Sequence, residues 1–127
     1  GEARDRAAAA LIARDVSASL VPLVGGAFEL LPPGEDPGRT LRVDPSSAPL
    51  HLALDGQGRI VGELSEGDYR SGFSADRRAV HLVRVRLGRV PDGDASLFDV
   101  EVSVEQPVSA AETVRRKEPF FTRIHAR

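Results

Sequence analysis

Residues 1–24 carry the pattern of a helix, and from Ala27 onward the pattern is that of strands. This change of period is the feature that most constrains the fold. The stretch from Arg4 to Val16 has no Gly or Pro and is dense in Ala, Leu and Arg, all strong helix formers. Wound at about 100° per residue, it puts Ala8, Ile12, Val16, Leu20 and Leu23 on one stripe, with Arg6, Arg14 and Ser17 well away from it. Pro22 lacks a backbone donor and Gly25-Gly26 favours a turn, so the helix is expected to stop there. No capping signal opens it and the chain contains no Met. The expectation is a severed end of a longer helix, with Gly1 as a protease scar.

Beyond the helix, short apolar runs alternate with turn clusters. Ala27 to Leu31 reads as a strand stopped by Pro32-Pro33-Gly34, and Leu41-Arg42-Val43 as another, followed by Asp44-Pro45-Ser46-Ser47. Leu50, Leu52 and Leu54 share one face of a strand. Asp55-Gly56-Gln57-Gly58 then supplies a hairpin turn before Arg59 to Leu64. Residues 65–78 are polar and read as a long loop. The two strongest strands are Ala79 to Leu87 and Leu97 to Glu105, joined through Pro91-Asp92-Gly93-Asp94 as an antiparallel hairpin. Arg84 and Arg86 are expected on the wet face, opposite Asp99, Glu101 or Glu105. Residues 106–118 read as a polar connection, and Phe120 to His125 as a closing strand with Phe120 and Ile124 inward.

An antiparallel sheet with one apolar face needs a cover, and the N-terminal helix is the one candidate. The expected architecture is therefore α+β. One long helix over residues 1–24 lies across an antiparallel sheet of about four to six strands, in a single domain of 127 residues.

Several function classes find no support in the composition. With 41% hydrophobic and 28% charged residues the chain is an ordinary globular one. A net charge of -2 gives no general attraction to nucleic acid, and the absence of Cys excludes thiol nucleophiles, zinc ribbons and disulfides. His51, His81 and His125 fall on three strands without metal-hydrolase spacing. Asp92 and Asp94 resemble the start of a Ca²⁺ loop but lack its remainder and also suit an ordinary turn. Glu35, Asp36 and Asp44 are read the same way. No serine lies in a nucleophile elbow, and Gly56-Gln57-Gly58 lacks the third glycine of a phosphate cradle. The basic run Arg115-Arg116-Lys117, next to Phe120 and Phe121, could touch a single strand, but flanking Glu112 and Glu118 favour a solvated connection. The expectation is no enzyme and no cofactor.

The order of elements resembles the type IV pilins and the type II secretion pseudopilins. Arg4 to Leu20 resembles the soluble half of the pilin helix. Leu52-Ala53-Leu54-Asp55-Gly56-Gln57-Gly58-Arg59-Ile60 resembles the L-x-F-D-x-x-G-x-x strand and turn of pseudopilins. Phe120 to Arg127 is similar to the last strand of minor pseudopilins. The resemblance implies a minor filament subunit that acts by assembly. An apolar half-helix upstream of Glu2 would anchor it in the bacterial inner membrane, with the domain facing the periplasm or the cell surface. Its partners would be other pilin or pseudopilin subunits, bundled through the helix, and no nucleic acid. The residues implied for helix packing and assembly are Ala7, Ala8, Leu11, Ile12, Val16 and Leu20. The alanine run from Ala7 to Ala10 suits close helix approach, and equally suits simple helix propensity.

Two other readings stay open. One is an extracellular β-rich adhesion or recognition domain, which calls for a concave aromatic patch although Tyr69 is the only tyrosine and Trp is absent. The other is a small enzyme or ligand carrier with an apolar cavity between helix and sheet.

Overall fold

A computed structural model describes residues 2–32, 34–36, 38–71, 78–107, 113–114 and 119–126, with the backbone path alone for 2–6, 71, 107 and 113–114. In chain order the elements are α1 (Glu2–Ala18), β1 (Leu20–Pro22), β2 (Phe28–Leu30), β3 (Leu41–Val43), β4 (Leu50–Leu54) and β5 (Ile60–Glu63). Then come α2 (Glu66–Ser71), β6 (His81–Arg89), β7 (Leu97–Pro107), β8 (Thr113–Val114) and β9 (Phe120–His125).

The expected α+β architecture, a long helix over residues 1–24 lying on a single sheet, is overturned. The fold is mostly β, and its strands divide between two antiparallel sheets. One is three-stranded in the order β1-β2-β3. The other is six-stranded in the order β5-β4-β6-β7-β8, with β9 also on β7. The helix is shorter than expected, and local chemistry explains why. The Ser19 hydroxyl donates to the Asp15 carbonyl at 2.7 Å, and the Ser19 amide bonds back to Val16 at 3.1 Å, closing the last turn. The ring of Pro22 then disfavours a helical Val21. Leu20 therefore leaves the helix and pairs with Leu30 across a turn in which Gly25 and Gly26 have φ of 98° and 86°.

The large sheet grows from the alternation of its central strands. Leu82 to Arg89 pairs with Phe98 to Glu105 across a turn at residues 90–96. The inner face of this sheet carries Leu52, Leu54, Val83, Val85, Leu87, Phe98, Val100, Val102 and Val104, all buried. Across from them lie α1 and the small sheet. Phe28 of β2 meets Phe98 of β7 edge to face, with centroids 5.1 Å apart, and so ties the two sheets into one core.

The stripe by which α1 faces this core is turned from the expected one. Its buried residues are Ala9, Ala13, Val16 and Ser17, while Ile12 is half-buried on its flank and Ala8 is also half-buried. Leu23 sits half-buried in the turn after β1. Alanine at the point of contact lets the helix axis come close to β7 and β9, and the bulkier Ile12 is displaced to the side.

A further correction concerns residues 65–78, expected to be a loop. Ser65 caps a short helix there: its hydroxyl accepts from the Asp68 amide at 3.1 Å and donates to the Asp68 carboxylate at 3.0 Å. The helix α2 lies on the outer face of the large sheet, where Tyr69 packs with Ala53 and Leu82 in a second, smaller apolar cluster. Residues 72–77 of that expected loop, and 108–112 and 115–118 of the expected polar connection, lie outside the described residues. Within that connection, Thr113–Val114 forms β8 against Gln106 and Pro107.

Candidate functional site

Strand register sets out the outer face of the large sheet row by row. His51 lies opposite Arg84, and Arg84 opposite Ser103. One row on, Arg86 lies opposite Glu101, and Glu101 opposite Phe121. The next row is Gly88, Asp99 and Arg123. Of the expected cross-strand charge pairs, the register thus sets Arg86 against Glu101. Asp99 instead meets Arg123 of β9, with Nε 2.7 Å from Oδ1. Arg84 faces Ser103, and Glu105 faces Leu82.

Gly88 has no side chain to fill its row, and its neighbours stand up around a shallow groove of about 530 Å³. Arg86 and Arg123, Asp99 and Glu101 give its rim both signs of charge, and Phe121 rises beside it 65% exposed.

The covered part of the same face holds His51. Its ring stacks on Tyr69 of α2 with centroids 4.5 Å apart, and the residue is only 5% exposed. Its Nε2 lies 3.2 Å from Glu66 Oε2 but without the alignment of a hydrogen bond. Glu66 is engaged elsewhere, accepting from Arg70 Nε at 2.9 Å through its other oxygen. Arg84 stands over Tyr69, its guanidinium carbon 6.0 Å from the ring centroid. Burial holds the His51 imidazole below its ordinary value of 6.5. Glu66 opposes that shift and Arg84 adds to it. Arg70 in turn holds the Glu66 carboxyl below its ordinary range.

Ser–His chemistry does not follow from this cluster. Ser103 is two strands from His51, roughly 9–10 Å at ordinary strand spacing, with Arg84 between them. His81 opposes Leu54 and His125 opposes Leu97, so the three imidazoles stay apart. Among the described residues no group of three or more His, Asp or Glu side chains could hold a metal ion. Asp92 takes a left-handed φ of 59°, and Asp94 accepts from the Ser96 amide at 3.0 Å, which gives that acidic pair a turn-forming role. Glu35 accepts from the Ile60 amide, and Asp44 pairs with Arg42 at 3.3 Å. Arg115-Arg116-Lys117 lies outside the described residues.

The helix residues divide by exposure. Val16 and Leu20 are buried in the core of this chain, Leu20 from β1 and not from the helix. Ile12 and Ala8 are half-buried. Ala7 faces outward, as does Leu11 at 50% exposure. Among the described residues no helix is long and apolar enough to cross a membrane. The buried His51 and the α2 that covers it could not be read from the three scattered histidines. The signal that marks α2 was present as Ser65-Glu66-Gly67-Asp68, the spacing of a capping box. No known protein family, curated protein or solved structure matches this chain.

Proposed function

We propose that this chain is a minor structural subunit of a bacterial envelope filament, of the pseudopilin or type IV pilus kind, and that it works by assembly. The two-sided character of α1 carries the reading. One side is anchored to the chain's own sheet through Ala9, Ala13 and Val16. The other side presents Ala7, Leu11 and Ala18 around the exposed Arg14, with Leu11 half exposed although it is a large aliphatic residue. Helices with small outward residues can approach neighbouring helices closely, and a leucine among them gives the contact apolar area. In this reading an apolar segment of ~20 residues upstream of α1 anchors the subunit in the inner membrane. Other pilin or pseudopilin subunits are its partners.

Residues 1–127 contain no cysteine, so Leu11→Cys places a single thiol in this domain of the full-length gene product. Oxidation in cells is expected to cross-link it to neighbouring subunits, while Asp92→Cys in the exposed turn stays monomeric. Sheared envelope filaments that lack this chain, with no cross-link at position 11, would overturn the reading.

The groove beside Phe121 favours a second reading, an extracellular recognition domain. Phe121→Ser would then abolish its binding function and leave Leu11→Cys cross-linking absent.

A further inference from the structure

We infer that α2 is an acid-released flap, seated on the outer sheet face by the neutral His51 ring and loosened when that ring takes a proton. The seat is built from four side chains. His51 projects from β4 under Tyr69, which stacks on it from α2. Leu82 and Ala53 pack with Tyr69 and complete an apolar bed. A proton on His51 would place positive charge in that bed, out of water, where charge is costly.

The charged groups around the ring leave that cost largely unmet. From β6, Arg84 opposes a second positive charge. From α2, Glu66 favours it, at 3.2 Å from Nε2. Yet its side chain is 54% exposed and shared with Arg70, so water and a competing cation weaken its pull. From β5, Glu63 pairs with Leu52 and not with His51. Burial and Arg84 outweigh Glu66, and the docked imidazole sits below 6.5.

The sign of the linkage follows. When α2 lifts, His51 is hydrated and regains its ordinary value of 6.5, so the open form binds the proton more tightly than the docked form. Docking is therefore complete above that value. It weakens as pH falls from 6.5 toward the lower docked value, and levels off beneath it. The loss amounts to about tenfold in the docking equilibrium for each unit by which docking lowers the imidazole. Opening bares Ala53 and Leu82 on a face otherwise lined with charge.

Amide exchange on the intact chain tests the flap. The Tyr69 amide, bonded to the Ser65 carbonyl at 3.0 Å, reports on α2, and the amides of β6 report on the sheet. Between about pH 8 and about pH 5, the protection of Tyr69 relative to β6 is expected to fall. Tyr69 emission, free of any other tyrosine or tryptophan, should change over the same range. Arg84→Gln is expected to flatten the pH dependence, Glu66→Gln to steepen it, and His51→Gln to abolish it. Should His51→Gln fail to fold, the slopes of the other two variants decide. Protection that is independent of pH in the unaltered chain, or slopes unmoved by Arg84→Gln and Glu66→Gln, would overturn the inference.

Discussion

Gly34 stands at φ 85°, and a Cβ added there would lie 2.8 Å from the carbonyl oxygen of Gln57. Beside it, Glu35 accepts from the Ile60 amide, so this short stretch stitches the β2–β3 connection onto the β4–β5 hairpin. Backbone strain and the clash act together at one position. Gly34→Ala is therefore expected to cost about 1–3 kcal/mol, read as a lower midpoint in urea unfolding. Gly56 is the contrast, with open space around its Cβ direction, and its replacement by Ala should cost far less. In the sequence Gly34 looked like one more stop after two prolines. The carbonyl that forbids a side chain there belongs to residue 57, and no local pattern announces such a neighbour. His51 was hidden for a similar reason, because its cover is Tyr69, eighteen positions away in the chain and on an element first read as loop.

Among the elements, β6 and β7 were legible because their alternation is long and its apolar set, Val83 to Leu87 and Phe98 to Val104, is buried, so that a one-residue slip would turn that set to water. The helix α1 was legible as a helix but not in its length or rotation. Its sequence offers alanines on nearly every side, so the packing partner, and not the periodicity, selects the inner stripe. The expected stripe ran through Ala8 and Ile12 and did not include Ala13. The sheet selects Ala13 for its small size, at 4% exposure. Substituting Ala13→Leu is expected to push α1 off β7 and cost about 1–3 kcal/mol, as measured by thermal or urea unfolding. Ala10→Leu, on the exposed side, should change stability by no more than about 0.5 kcal/mol. The element β1 was missed because three residues after a helix carry too little pattern. Its identity comes from pairing with β2.

At the scale of the whole molecule, α1 and both sheets contribute to one apolar cluster, and Phe28 against Phe98 is its largest aromatic contact. Phe28→Ala is expected to cost about 3–5 kcal/mol. Because the small sheet has no core apart from this one among the described residues, it should not melt alone: far-UV circular dichroism should still show a single transition, shifted to lower denaturant. The division into two sheets was beyond the reach of the sequence, since β2 and β3 look like members of one meander until the cross-core contact is known. That contact also governs the order in which the molecule can form. The hairpin of β6 and β7 closes over a short turn through local contacts, whereas α1 rests on β7, roughly eighty residues downstream, and on β9 beyond it. A ribosome making this chain thus releases its helix long before the helix has anything to lie against. During that interval Val16 and its neighbours remain in water, and a chaperone or a membrane surface would meet them first.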